Sequence, residues 1–123
     1  MNITDVGDII DRQTEAYNAR DLARFAAFYA ESIRIFRMPA FEAAISGKAQ
    51  LLQEYQGRFS APLLHADIIS RIVLGNKVID HERVHGILAE PIEAVAVYEV
   101  TDGLIQKVWF YFGGDAPLLP QPQ

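Results

Sequence analysis

Asp80 and Glu82 lie two residues apart in a stretch, residues 77–88, whose pattern predicts a β-strand. Side chains alternate along a strand, so both carboxylates project from the same face. If that face lines a pocket, burial and mutual repulsion raise at least one of the two pKa values toward neutrality. A carboxyl group poised there can give or take a proton at physiological pH. Arg37 shares a strand face with Ile33 and Ile35, and it is the cation that can enter the same space and hold the other carboxylate ionised. A competing arrangement uses the same residues differently. Asp80 pairs with Arg71 across a hairpin, Glu82 is solvated at the sheet edge, and Arg37 sits at the rim, where an unpartnered Arg usually lies. The residue types leave both arrangements open.

Other chemistry is less well supplied. His81 and His85 are four apart on the same strand, hence on one face, with Arg83 between them. A metal needs three or four ligands, and nothing dependable completes the set, since His65 falls near Gly86 of the paired strand and on the other face. No metal is therefore expected. The chain has no cysteine, which excludes disulfides, thiol catalysis and zinc-thiolate sites. Neither a phosphate-cradling Gly-rich loop nor a Ser-His-Asp order stands out. Tyr17, Tyr55 and Tyr98 either donate hydrogen bonds to a ligand or pack in the core with their hydroxyls satisfied nearby.

The element that must organise these residues is 92–112, IEAVAVYEVTDGLIQKVWFYF. Two runs of β-branched and aromatic residues flank Thr101-Asp102-Gly103, which predicts a hairpin. A three-residue loop with Gly103 left-handed pairs Val100 with Leu104, Tyr98 with Gln106 and Ala96 with Val108. One face then carries Ala94, Ala96, Tyr98, Val108, Phe110 and Phe112. The other carries Val95, Val97, Ile105, Trp109 and Tyr111. Both faces are apolar, so each needs a cover.

Upstream, the pattern predicts a helix over 4–18 with Val6, Ile9, Ile10 and Tyr17 on its buried stripe, and Gln13 is a polar residue on that stripe. Asp21 caps a short second helix that buries Leu22, Phe25, Phe28 and Tyr29. Residues 33–38 form a strand ended by Pro39. Ser46 caps a third helix with Leu51, Leu52, Tyr55 and Phe59 on one side, and Pro62 closes it. Residues 65–74 and 77–88 flank the Gly-first turn Gly75-Asn76. That register sets Arg71 opposite Asp80, Ile69 opposite Glu82 and Asp67 opposite Val84. The tail after Phe112 holds Pro117, Pro120 and Pro122 and reads as irregular. Helices first and antiparallel strands last give an α+β fold, a cone in which three N-terminal helices pack on a curved, mainly antiparallel sheet.

The 123 residues suit one domain spanning 1–123. Half are hydrophobic and 22% are charged, as in soluble globular proteins. A net charge of −5 disfavours nucleic acid as a partner. No apolar run is long enough to span a membrane, and no secretory signal opens the chain, so a cytoplasmic location is expected.

The order of elements, with Tyr17-Asn18-Ala19-Arg20-Asp21-Leu22, Phe28-Tyr29-Ala30-Glu31-Ser32, Ile45-Ser46-Gly47-Lys48 and Thr101-Asp102-Gly103-Leu104-Ile105, resembles the nuclear transport factor 2-like superfamily. The nearest branch is the SnoaL-like and ketosteroid isomerase-like one, and the resemblance covers nearly the whole chain. It implies a conical fold, usually dimeric, with a deep apolar pocket holding a few polar groups. Ketosteroid isomerases use an Asp base and an oxyanion hole of a Tyr and a protonated Asp. In the implied alignment Gln13 stands at the helix-one Tyr, Arg37 at the base and Ala96 at the hole-forming Asp, so that mechanism is not expected. The same alignment turns Asp80, Glu82 and Val84 toward the cavity and His81, Arg83 and His85 away from it.

Together these readings predict a cavity lined by Gln13, Tyr17, Phe25, Arg37, Tyr55, Glu82, Tyr98, Phe110 and Phe112. Glu82, or its neighbour Asp80, is the candidate acid/base, with Arg37 as electrostatic partner. The expected activity is proton transfer without a cofactor (isomerase, cyclase, hydrolase or dehydratase) on a small apolar oxygen-bearing ligand. The alternative is a non-catalytic ligand-binding or dimerisation module. A homodimer through the outer sheet face is expected, weakening as its histidines protonate.

Overall fold

In the computed structural model, which describes residues 5–113, the first apolar stripe forms helix α1, Val6–Asn18. The Asp5 carboxylate caps it by accepting from the Asp8 amide at 3.2 Å. The buried residues of α1 are Ile9, Ile10, Gln13, Ala16 and Tyr17, at the spacing of one helical face. Asp21 caps the short helix α2, Leu22–Ala26, through the Arg24 amide. Strand β1 then runs Tyr29–Arg37. It begins four residues before the predicted start, so Phe28 and Tyr29 do not belong to α2. A two-residue strand β2, Ile45–Ser46, leads into helix α3, Lys48–Arg58. The cap of α3 is Gly47 at φ 92°, not Ser46, whose amide instead donates to the Gln50 side chain. Leu51 and Tyr55 are buried, but Leu52 is exposed, so the apolar face of α3 is narrower than predicted.

The remaining strands are β3 (His65–Leu74), β4 (Lys77–His85), β5 (Ile92–Thr101) and β6 (Leu104–Tyr111). They form one sheet in the order β2-β1-β6-β5-β4-β3, antiparallel throughout except where β1 runs parallel to β6. Register shifts interrupt three pairings, at Tyr29/Arg34, Ile68/Ser70 and Glu99/Val100. An extra residue on one strand bends it and increases its twist, which curves the sheet around the helices. The proline-bearing tail beyond Gly113 and the residues before Asp5 lie outside the described residues. Among the described residues no helix is long and apolar enough to cross a membrane.

The shifts correct the predicted registers. Gly75 takes φ 60° in the β3–β4 turn, and Arg71 faces Asp80 as expected. Beyond the bulge at Ile69, however, Glu82 faces Ile68 and Asp67 faces Arg83. In the last hairpin Thr101 pairs with Leu104, so the loop has two residues, Asp102 at φ 55° and Gly103 at φ 77°. Two successive left-handed residues suit the twist of the flanking strands. Tyr98 therefore faces Val108, and Ala96 faces Phe110. A bulge at Gln106 turns Ile105 inward, where it is fully buried, rather than onto the outer face.

Candidate functional site

Between the helices and the concave side of the sheet lies a cavity of about 130 Å³. Helix α1 supplies Gln13 and Tyr17, and α2 supplies Phe25. Arg37 enters from the end of β1, and Tyr55 from α3. Glu82 rises from β4, Tyr98 from β5, and Phe110 and Phe112 from β6 and just past its end. All nine residues of the predicted lining do line it, but Asp80, which the implied alignment also turned toward the cavity, does not. Tyr29, Glu54 and Arg58 also line it and were not anticipated.

The wall between α1, α2 and α3 is aromatic. Phe25 lies 4.8 Å from Tyr55, 4.9 Å from Tyr29 and 5.9 Å from Tyr17 between ring centroids, all tilted. Phe59 meets Tyr17 edge-on at 5.3 Å. Tilted and edge-on contacts of this kind add attraction to the burial of large apolar surfaces, and they fix the shape of the wall.

The polar groups are set into this wall in pairs. Gln13 accepts a 2.7 Å hydrogen bond from the Tyr29 hydroxyl and donates to the Ile10 carbonyl and the Thr14 hydroxyl. The polar residue on the helix stripe is thus buried because its amide is partnered on both sides. The Tyr98 hydroxyl donates to Glu82 Oε2 at 3.3 Å. Among the described residues no buried side-chain nitrogen or oxygen lacks a partner.

Glu82 is 8% exposed, and its pKa is pushed up to about 7. Burial is the main cause, the charge of Asp80 adds to it, and the Tyr98 hydrogen bond opposes both. Burial likewise pushes the hydroxyls of Tyr29, Tyr55, Tyr98 and Tyr17 up, so they remain neutral donors at physiological pH.

Asp80 takes the other arrangement foreseen for it. It is fully buried, does not line the cavity, and accepts both arms of Arg71 at 2.6 and 2.9 Å. Arg71 also reaches Asp11 at 2.6 Å and the Gly7 carbonyl at 3.1 Å, tying β3 and β4 to α1. The structure therefore separates the two carboxylates. Asp80 is locked in an ion pair, and Glu82 faces the empty space with a pKa near neutrality. Arg37 is not among the groups that shift Glu82; its own pKa is lowered by burial and then by the nearby Arg58.

The histidines lie outside. His81 Nε2 is 2.7 Å from Glu93, which also pairs with Arg83. His65 faces His85, not Gly86, and each reaches one oxygen of Asp67. The described residues contain no group of three or more His, Asp or Glu placed to hold a metal ion.

The comparisons fit this architecture. A family profile described as a SnoaL-like domain matches residues 10–108. No curated protein matches the sequence. Solved structures do. A cystatin-fold protein from Novosphingobium aromaticivorans is 22% identical, with 89% of this chain and 97% of that one covered and a TM-score of 0.76. A candidate polyketide cyclase from Sinorhizobium meliloti is 18% identical, covering 89% and 99%, with a TM-score of 0.74. A candidate ketosteroid isomerase from Kribbella flavida is 21% identical, covering 96% and 83%, with a TM-score of 0.71. At these identities the likeness is one of fold.

Proposed function

The chain belongs to the SnoaL-like domain family, and we propose that it is a cofactor-independent acid/base enzyme acting on a small apolar oxygen-bearing molecule, with Glu82 as its proton carrier. One observation carries the reading. A carboxyl group with a pKa of about 7 faces a cavity walled by aromatic rings and neutral hydroxyl donors. At neutral pH such a group is present in both forms, the condition in which a general base is strong enough to take a proton and still able to return it. As carboxylate, Glu82 removes a proton from carbon next to a ligand carbonyl, and the electron pair moves to the carbonyl oxygen as an enolate. A tyrosine hydroxyl of the wall donates to that oxygen, which stabilises it most in a site shielded from water. Where a carbon–carbon double bond lies β,γ to that carbonyl, the enolate is conjugated with it, and return of the proton from Glu82 to the γ-carbon shifts the double bond into conjugation, restores the carboxylate and completes an isomerisation.

Gln13, Arg37 and Ala96 stand where a ketosteroid isomerase is expected to have its working residues, so the base here is supplied by a different strand. Asp80 acts through Glu82, because its charge helps keep the Glu82 proton on. The names of two structural neighbours, a candidate ketosteroid isomerase and a candidate polyketide cyclase, agree with small-molecule chemistry in such a cavity.

The test is deuterium exchange in D2O, followed by NMR, on a panel of small ketones with and without a carboxylate. The expected result is protein-dependent exchange next to the carbonyl of at least one compound, falling roughly 100-fold or more in Glu82→Gln. Exchange that persists unchanged in Glu82→Gln rejects Glu82 as the carrier. Binding without any exchange supports the non-catalytic module instead.

We also propose a homodimer through the outer face of the sheet. Trp109 stacks on Phe36 there, at 6.1 Å between ring centroids, beside Val95, Val97 and Tyr111. A second copy would cover this apolar surface with its own equivalent.

A further inference from the structure

We propose that the ligand is a ketone of about one ring and that the Tyr55 hydroxyl is the donor that receives its carbonyl oxygen. The inference rests on the reading of this cavity as the working site, and it adds which hydroxyl holds the ligand and how large the ligand is.

The polar groups of the cavity fall into two sets. Thr14, Arg37, Glu54 and Arg58 are half-buried, which puts them at its mouth. Gln13, Tyr17, Tyr29, Tyr55, Glu82 and Tyr98 are buried and surround its interior. The mouth carries both signs of charge. The interior offers one titrating carboxyl among uncharged groups, which suits a neutral ligand.

Most donors of the interior are already engaged. The Gln13 amide donates to the Ile10 carbonyl and the Thr14 hydroxyl, and its oxygen accepts from the Tyr29 hydroxyl. The Tyr98 hydroxyl donates to Glu82 Oε2. Two hydroxyls are left, those of Tyr17 and Tyr55. Tyr17 has Arg58 as a hydrogen-bond partner. Tyr55 is only 5% exposed, yet among the described residues its hydroxyl has no hydrogen-bond partner. No fully enclosed side-chain oxygen among those residues lacks a partner. The Tyr55 oxygen is therefore not closed off by protein, and it borders the cavity that its ring lines. A hydroxyl in such a place gains most from an acceptor that the ligand brings.

The Tyr55 hydroxyl is also fixed in position. Its ring lies 4.8 Å from Phe25 and 5.9 Å from Phe59 between centroids, and the Arg58 guanidinium sits over it at 4.9 Å. A donor held in place before the ligand arrives needs no reorganisation when charge develops on the acceptor. The cation over the ring draws electron density toward itself, which strengthens the hydroxyl as a donor.

Size completes the argument. A cavity of about 130 Å³ is close to the ~150 Å³ that holds one benzene. A ring that fills it touches the groups around it, so one ligand meets Tyr55 and Glu82 together. The Glu82 carboxylate takes the proton from the carbon next to the carbonyl, and Tyr55 donates to the oxygen that receives the electron pair. The Tyr98 hydroxyl is not available for that step, because it donates to the carboxylate that removes the proton.

The experiment is a carbon-13 NMR titration of the full chain with cyclohexanone labelled at the carbonyl carbon. In water the ketone oxygen is hydrogen-bonded, and in an apolar space without a donor the carbonyl signal moves upfield. The expected result is saturable binding with the bound signal at or downfield of its position in water. In Tyr55→Phe the bound signal should move upfield and the affinity should fall about fivefold. In Tyr17→Phe the bound signal should stay where it is. Tyr55→Phe removes an oxygen that no protein group bonds, so its Tm should match that of the unaltered chain; a large fall in Tm, or failure to fold, would mark the hydroxyl as structural and overturn the proposal. Cyclododecanone, with a ring of twice the size, should not displace cyclohexanone. A bound signal indifferent to Tyr55→Phe, a signal that moves upfield in Tyr17→Phe instead, no binding of cyclohexanone, or displacement by cyclododecanone also overturns it. The exchange test on Glu82→Gln is independent. Exchange that depends on Glu82 with a signal indifferent to Tyr55 rejects the hydroxyl and leaves the base standing. A signal that depends on Tyr55 with no exchange in any ketone supports the hydroxyl and rejects the base.

Discussion

Replacing Glu82 by Gln keeps the shape of the side chain, retains an oxygen for the Tyr98 hydroxyl, and removes the titrating proton. The fold's stability should register that loss in one pH window. The Glu82 carboxyl has a pKa of about 7 in the fold against 4.5 as its ordinary value. Between those values the folded chain holds a proton that the unfolded chain has released, so stability falls as pH rises. Below pH 4.5 both states are protonated, and nothing is lost. Above pH 7 the full cost of a buried charge is present. A difference of about 2.5 pH units corresponds to about 3 kcal/mol. The side chain is 8% exposed, so solvent screening reduces this little. Glu82→Gln should therefore match the unaltered protein at pH 4.5 and exceed it by up to about 3 kcal/mol at pH 8 and above, or roughly 10 °C in Tm for a chain of this size. Carboxylates whose pKa values are lowered, Asp67 and Glu93, titrate alike in both proteins and cancel in the difference. Thermal unfolding of the pair across pH 4.5 to 8.5 gives the answer. Parallel Tm curves, or a variant less stable at pH 8, would refute the account of Glu82.

Arg71→Leu leaves the fully buried Asp80 without its cation and should cost about 3–5 kcal/mol in chemical denaturation. Removing both charges, in Arg71→Leu with Asp80→Leu, should recover much of that loss, and no recovery would contradict an ion pair as the cause. Gly86→Ala should cost roughly 2 kcal/mol or more, because Gly86 has φ 91° and an added Cβ would lie 2.4 Å from the Leu63 backbone; an unchanged Tm would contradict it. Trp109→Asp should shift sedimentation at micromolar concentration from dimer to monomer without unfolding the chain. That dimer should change little between pH 5 and 8, because the carboxylates of Glu93 and Asp67 stand against His81 and His85 on the same face. This reverses the response expected from the histidines and Arg83 alone, and a dimer that dissociates on acidification would restore it.

Much of the site could be read from periodicity. Gln13 and Tyr17 fall on a helical stripe, Glu82 and Asp80 on one strand face, and Tyr98, Phe110 and Phe112 on one face of the last hairpin. Alternation survives the change of register because faces depend on parity, and a shift of two residues preserves parity. Bulges were not legible. Nothing local marks Ile69 or Gln106 as the extra residue; the bulge positions answer to the curvature of the whole sheet. That is why Ile105 was placed outside and Glu82 opposite the wrong partner. The irregularity between Tyr29 and Arg34 hid Tyr29 in the same way, since it breaks the alternation that would have extended β1 backward. Arg58 carried one readable signal, its place three residues after Tyr55 on α3, which sets a cation over the ring. The division of labour between Asp80 and Glu82 could not be read. Both fit both arrangements until the reach of Arg71 to Asp11 and Gly7 fixed one carboxylate and left the other facing the cavity.

The account turns on one carboxyl group, and its titration can be followed directly. With glutamate labelled at the side-chain carboxyl carbon, and Glu82 assigned by its absence in Glu82→Gln, carbon-13 NMR from pH 4 to 9 reads its protonation in the folded chain. The predicted midpoint is about 7. A midpoint near the ordinary value of 4.5 would mean that Glu82 is a permanent carboxylate at neutral pH, and it would contradict the proton carrier on which the proposed function stands.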